Sequence, residues 1–169
     1  MVEPGDLAPD FTAPMATPAN AEGPGEYTSE DVESFTLSRA LERGPVVLAF
    51  FPGAFSRTCT EELCEFRDWR ADLGDLDARV YGVSADTPWS LLAFIQEYGL
   101  NHPLLSGFNN AVIEEYGMRL EAGGPLTGIA RRGVFVIDGD GAVTYRWEGD
   151  GLRELPDMGA LREAVANAR

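Results

Sequence analysis

At 169 residues, 44% of them apolar, the chain is long enough for one domain with a sizeable core. Its charge is lopsided: 28 acids face 13 bases, every base is an arginine, and the formal net charge is -15. Such a surface repels nucleic acid and anionic membranes, and no stretch is apolar for long enough to span a bilayer, so neither is an expected partner.

Taken in order, the start MVEPGDLAPDF lacks the basic and apolar regions of a signal peptide, which predicts a cytoplasmic protein. Residues 13–34, APMATPANAEGPGEYTSEDVES, are rich in Pro, Gly, Asn and acids without an apolar period. They are expected to form a surface loop with a hairpin portion and no part in chemistry. Phe35 to Leu37 reads as a short edge strand, and Ser38 to Glu42 as one helical turn closed by Gly44 and Pro45.

Val46 to Phe51 is an unbroken apolar run with β-branched and aromatic residues, the pattern of a parallel strand buried on both faces. Pro52 and Gly53 stop it. The spacing Thr58-x-x-Glu61 predicts a capping box at the start of a helix over about Cys59 to Leu73. Helical periodicity puts Cys59, Leu63, Phe66 and Leu73 on one inward stripe, Trp69 and Arg70 near its edge, and Glu61, Glu65, Asp68 and Asp72 away from it. Cys59 thus falls in a first helical turn, where unpaired N–H groups and the positive dipole end favour an anionic sulfur, the form that attacks.

Further on, Arg79 to Ser84 is a strand, and Asp86-Thr87-Pro88 is expected to cap a helix from Trp89 to Tyr98 that Gly99 ends. Leu104 to Ser106 is a short strand and Asn109 to Tyr116 a helix. Gly133 to Asp138 and Ala142 to Trp147 are paired strands about a Gly139-Asp140-Gly141 turn, and Met158 to Ala168 is the last helix. Strands alternating with helices, then a hairpin and a final helix, is the order of an α/β thioredoxin-like fold.

The pattern Pro52-x-x-x-Ser56-x-x-Cys59 resembles the active-site signature of the peroxiredoxins, P-x-x-x-(T/S)-x-x-C. The segment GDLAPDFT at Gly5 to Thr12 is similar to that family's opening strand. The resemblance covers nearly the whole chain apart from the loop after Ala13, and implies a single thioredoxin-like domain over residues 1–169 with an N-terminal extension. The flank FFPGAFSRTCTEELCEFRD looks most like the one-Cys alkyl hydroperoxidases of the E type. Cys64, five residues after Cys59, is instead similar to the bacterioferritin-comigratory-protein branch, in which a helix cysteine at that offset resolves the oxidised one.

The resemblance implies a thiol-dependent peroxidase acting on hydrogen peroxide and alkyl hydroperoxides, with Cys59 as nucleophile. It assigns Ser56 a hydroxyl aimed at sulfur and peroxide, and gives Pro52 the part of shielding the pocket. The segment Gly128 to Asp138 resembles the one in which an essential arginine precedes G-x-F-x-I-D, which selects Arg132 over Arg131. Strand alternation puts those two arginines on opposite faces without saying which face looks at Cys59. Glu62 stands where relatives carry a glutamate that braces this arginine, and is otherwise one more acid on an acidic helix.

The implied reductant is a thioredoxin- or glutaredoxin-like protein or a small thiol. E-type relatives dimerise whereas those with the five-residue offset are often monomers, so a homodimer and a monomer both stay open. No cofactor is implied. Cys59 and Cys64 lack common zinc spacing, and the single histidine, His102, stands where relatives carry an aromatic, which gives it a packing or surface role.

Two other activities fit the fold. A protein disulfide oxidoreductase generally uses C-x-x-C, and Cys59-Thr60-Glu61-Glu62 lacks it. A redox sensor or holdase would use Cys59 only as a switch. Finally, the acid load is tolerable where salt screens it within roughly 3 Å, as at molar ionic strength. That marks a salt-loving organism's protein, although a GC-rich genome would also explain Arg over Lys.

Overall fold

The computed structural model describes residues 2–22, 26–72 and 79–168. Seven strands, β1 (Thr12–Ala16), β2 (Glu33–Thr36), β3 (Val46–Phe50), β4 (Arg79–Ser84), β5 (Leu104–Ser106), β6 (Gly133–Ile137) and β7 (Val143–Glu148), form one sheet in the order β2-β1-β5-β4-β3-β6-β7. Between or after them run helices α1 (Leu37–Ala40), α2 (Arg57–Asp72), α3 (Pro88–Tyr98), α4 (Val112–Glu115) and α5 (Met158–Asn167).

The apolar run 46–51 is central because it can be buried on both sides. β3 pairs parallel to β4 and antiparallel to β6, and every residue from Val46 to Phe50 is inaccessible to solvent. Alternation divides its side chains between two cores. Val46, Leu48 and Phe50 join Tyr116, Phe135 and Leu37 on the face that carries α1 and α4. On the other face Val47 and Ala49 pack with Phe66 and Trp69 of α2 and Leu161 and Val165 of α5, while Phe51 meets Leu63 and the buried side of α3.

Gly82 explains how closely α2 lies on the sheet. A Cβ there would stand 2.6 Å from Leu104 Cδ2, 3.0 Å from Phe51 Cε1 and 3.2 Å from Leu63 Cδ1. The bare backbone of β4 therefore receives Leu63, one turn beyond Cys59, and sets the height of the cysteine's helix above the strands.

Several expectations need correction. Gly5 to Thr12 is not a strand: Gly5 turns with φ 99°, and only Leu7 bridges, to Ala142, with Gly5 and Ala8 donating to the Val143 and Gly141 carbonyls. The strand starts at Thr12. It runs into the segment expected to be a surface loop with a hairpin portion, where β1 pairs antiparallel with β2 as that hairpin and with β5 on its other side. Its TAPMA sequence hides this because small residues and a proline give no alternation of hydropathy, although Ala13 and Ala16 are buried. Pro14 is tolerated because β5 pairs only with Met15 and Ala16, leaving Pro14 bonded on one side.

The helix expected over Asn109 to Tyr116 is a single turn, Val112–Glu115. Asn109 takes φ 57°, and the Asn110 side chain accepts from the Val112 N–H and donates to the Ser106 carbonyl, which holds the preceding residues out of the helix. Helix α2 begins at Arg57, so Thr58 lies inside it and is not its N-cap. Ser56, just before, accepts at its carbonyl from the Thr60 N–H and hydroxyl. For α3 the cap is Thr87, whose side chain accepts from the Ser90 N–H, with Pro88 in the first turn. Asp86 is thereby released for another task. Leu73 lies outside the described residues, as do the side chains of Arg70 and Asp72.

Candidate active site

The site lies where the loop after β3 enters α2, beside the start of β6. Pro52, whose ring supplies no N–H, ends the strand and leaves Phe51 donating to the Val83 carbonyl as the last backbone bond on that side. Asp86 holds the loop that follows. Its carboxylate accepts from the Ala54 N–H at 2.8 Å and from the Ser84 hydroxyl at 2.6 Å, while its carbonyl accepts from Ser106 at 2.6 Å. Phe55 takes φ 68°, an unusual conformation for an aromatic residue, and its ring lies over Phe94 and Tyr98 of α3.

Cys59, in the first turn of α2, is fully buried and reduced, and Arg132 Nη2 donates to its sulfur at 3.1 Å. The same guanidinium donates through Nη1 to Glu62 Oε2, and through Nε and Nη2 to the Leu152 carbonyl at 3.3 and 2.9 Å. One planar donor fork thus touches sulfur, a carboxylate and a backbone oxygen, a fixed array that the point charge of a lysine could not reproduce.

Arg132 is 1% exposed and Glu62 fully buried. Burial pushes the Glu62 carboxyl up to about 7, against the charge and hydrogen bond of Arg132. Burial pulls Arg132 down, but Glu62 and the Cys59 sulfur beside it hold it above its ordinary value. Glu62 Oε1 is buried and finds no partner among the described residues.

Arg131 points to the other side. It pairs with Glu148 and donates to the Gly117 carbonyl. The side chains that follow Arg132 at alternate positions, Val134 and Val136, pack against α2, whereas Phe135 and Ile137 enter the opposite core. Which face looks at Cys59 is therefore set by where α2 packs.

A cavity of about 410 Å³ opens beside these groups, lined by Pro52, Ser56, Thr58, Arg132 and, farther out, apolar and arginine side chains. Arg132 belongs to both the cavity wall and the sulfur's immediate surroundings. Ser56 is exposed and Pro52 half-buried, and both line the cavity. Cys64 is half-buried on α2 beside the core that holds Cys59, and burial pushes its thiol up, opposed by Arg67 and aided by Asp68. His102 is buried, its Nε2 3.2 Å from the Leu63 carbonyl and its ring edge-on to Phe66, so it packs against α2 away from the cavity lining.

Two participants had no signal in the sequence. The Leu152 carbonyl is a backbone group, which any residue type could present. Asp86 reads as a helix cap from its spacing before Thr87 and Pro88, and only the tertiary approach of residue 54 reveals its bond.

The sequence pattern of the AhpC/TSA family matches residues 4–146. The chain belongs to the AhpC/TSA family of peroxiredoxins. Among its relatives, chloroplastic peroxiredoxin Q of Populus jackii is 35% identical over 123 residues, covering 72% of this chain and 56% of that protein. A putative peroxiredoxin of Mycobacterium tuberculosis is 33% identical over 144 residues, covering 83% of this chain and 81% of its own length. The chain thus spans little more than half of the plant peroxiredoxin. Among solved structures, peroxidoxin BcpB of M. tuberculosis superposes with a TM-score of 0.77 at 27% identity, covering all of this chain and 97% of that one. The reduced 2-Cys peroxiredoxin of Plasmodium vivax, at 18% identity and TM-score 0.82 over 98% of this chain and 81% of that one, shows the shared thioredoxin-like fold.

Among the described residues no cluster of three or more His, Cys, Asp or Glu could hold a metal, and no helix is long and apolar enough to cross a membrane.

Proposed function

We propose that this peroxiredoxin is a thiol-dependent peroxidase that reduces hydrogen peroxide and alkyl hydroperoxides at Cys59. The observation that carries the reading is the 3.1 Å bond from Arg132 to a buried sulfur in the first turn of a helix. A guanidinium donating to sulfur is matched to the thiolate, and the same cation stabilises the negative charge that spreads along S–O–O as the bond breaks. The thiolate attacks the near oxygen of ROOH, the O–O bond breaks, and the far oxygen takes a proton and leaves as ROH. Cys59 is left as a sulfenic acid.

Pro52 and Ser56 line the approach, Pro52 by denying water a donor and Ser56 by offering a hydroxyl. Glu62 and the Leu152 carbonyl hold the guanidinium in plane. Cys64 then attacks the sulfenic sulfur and expels water, giving an intramolecular disulfide. In intact α2 the two Cα atoms are about 8 to 9 Å apart, beyond the roughly 7 Å a disulfide spans, so the first turn of the helix unwinds for this step.

A thioredoxin- or glutaredoxin-like protein or a small thiol returns both cysteines to thiols. The five-residue offset aligns the chain with the branch named for bacterioferritin-comigratory proteins. The acid load supports a halophile as its source, and the resemblance carries the reading of a cytoplasmic protein, homodimeric or monomeric. For the halophile assignment, the melting temperature is expected to rise by ten degrees or more, on the order of a few kcal/mol for a chain of this size, between dilute buffer and molar salt. Equal melting temperatures would remove it. Peroxide consumption with excess dithiol tests the activity itself: a peroxidase turns over many times, whereas a sensor stops after one equivalent.

A further inference from the structure

A second cavity lies at the other end of the sheet. Strand β4 opens at Arg79, beside Val46 at the start of β3, whereas the loop to Cys59 leaves the far end of β3. Arg79 lines this cavity of about 210 Å³ together with Arg39 of α1, Arg43 of the turn that follows, and Ser34, Phe35 and Tyr81 from the sheet. A water molecule's share of liquid volume is about 30 Å³, and pockets for drug-sized ligands start at roughly 300 Å³. The space therefore suits an ion or a molecule of a few carbons.

Its charge is the reverse of the protein's. With 28 acids against 13 arginines, the partner expected for any arginine is an acid, and six arginines, among them Arg67, Arg131 and Arg146, do pair with one. Among the described residues none of Arg39, Arg43 and Arg79 has such a pair, and the cavity lining holds no acid. Glu42, beside Arg43 in sequence, is exposed and outside the lining, and Glu33 of β2 accepts from the side chains of Thr17 and Asn20. Arg39 and Arg43 stand four residues apart on consecutive helical turns, a spacing at which like charges face and repel each other. Arg79 donates to the Ala40 carbonyl, and its Nε is buried with no partner among the described residues. One anion in the cavity would answer both the buried donor and the facing cations.

We propose that this cavity binds a phosphoryl group, as inorganic phosphate or as a small phosphomonoester. A phosphoryl group carries about -1.5 to -2 charges at pH 7 and three strong acceptor oxygens, and guanidinium forks meet such oxygens two bonds at a time. Three arginines without acids match that charge better than the single charge of a carboxylate. The ligand would tie α1 and the turn after it to the start of β4. The assignment does not depend on the reaction at Cys59.

Calorimetric titration of inorganic phosphate, and separately of glycerol phosphate, into the full chain at an ionic strength held constant with chloride tests the site. The wild type should bind both saturably at one site. Arg39→Gln/Arg43→Gln, two changes at exposed positions checked for folding by circular dichroism, should weaken binding about tenfold or more, the factor that losing charge-assisted hydrogen bonds implies. Arg43→Gln alone should weaken it less. Arg57→Gln/Arg153→Gln, at the cavity beside Cys59, should bind phosphate as the wild type does. Tighter binding of glycerol phosphate would support the phosphomonoester as the source of the phosphoryl group, and tighter binding of phosphate the free ion. The absence of saturable binding, binding that survives in both Arg43→Gln and Arg39→Gln/Arg43→Gln, or binding lost only in Arg57→Gln/Arg153→Gln would overturn the assignment. Chloride displacing phosphate on equal terms would overturn it too, by reducing the effect to charge screening.

Discussion

Helix α2 carries two cysteines five residues apart in unlike surroundings, and the contrast matches the proposed roles of nucleophile and resolving partner. Cys59 sits fully buried in the first turn with a guanidinium on its sulfur. Cys64, more than a turn farther along, is half-buried, and burial pushes its thiol up. The same residue type on the same element thus differs through what the sheet brings to it. Arg132 comes from the start of an antiparallel strand 73 positions away and reaches only the first of the two.

The sharpest way to break this contrast is to remove the sulfur that Arg132 touches. Cys59→Ser is expected to lower peroxide consumption by about 10³-fold or more, because a serine hydroxyl is not ionised near neutral pH, while circular dichroism stays that of the wild type. Turnover that survives at more than a few per cent would take the reaction away from Cys59.

A smaller loss is expected from the cation. Arg132→Ala should slow Cys59 oxidation about 10²-fold to 10³-fold, the usual cost of removing a donor aimed at developing charge. It also leaves Glu62 buried without its partner, so the variant should melt at lower temperature, and Arg132→Lys should recover more stability than rate. Arg131→Ala breaks the link to Glu148 on the other face and should stay within about threefold of the wild-type rate. Equal losses in the two alanine variants would contradict the division of faces.

The mildest expected effect sharpens the role of the brace. Glu62 is held up to about 7 by burial, above its ordinary 4.5, so the folded protein binds this proton over a pH window in which the unfolded chain has released it. Its contribution to stability is therefore fully present below about 4.5 and is lost as pH rises through about 7. Denaturant midpoints of the wild type and Glu62→Gln, measured from pH 4.5 to 8, should diverge over that window, with the glutamine protein showing the flatter profile. Parallel profiles would mean that Glu62 does not titrate there.

Much of this arrangement was legible because it is local. The apolar run 46–51, the stop at Pro52 and the helical stripe of Cys59, Leu63 and Phe66 are consequences of periodicity and turn chemistry, and the structure places them close to where those rules put them. Strand β1 was legible only as part of a hairpin because TAPMA carries no alternation of hydropathy, and its place between β2 and β5, with Ala16 under α3, is a tertiary fact. Alternation could separate Arg131 from Arg132, but the choice between the faces depends on α2 packing over Val134 and Val136, a tertiary fact. The Leu152 carbonyl and the Asp86 bond to Ala54 were out of reach for the same reason.

The account stands or falls on which sulfur meets peroxide first and what the other one does next. One equivalent of hydrogen peroxide, mixed rapidly with the reduced protein and with Cys64→Ser, followed by a sulfenic-acid trap, alkylation and peptide mapping, measures both. The expected result is a trapped sulfenic acid at Cys59 in Cys64→Ser, and in the wild type a Cys59–Cys64 disulfide with no free thiol left to alkylate. Oxidation appearing first at Cys64, or a wild-type protein whose Cys59 keeps its sulfenic acid while Cys64 remains alkylatable, would contradict it.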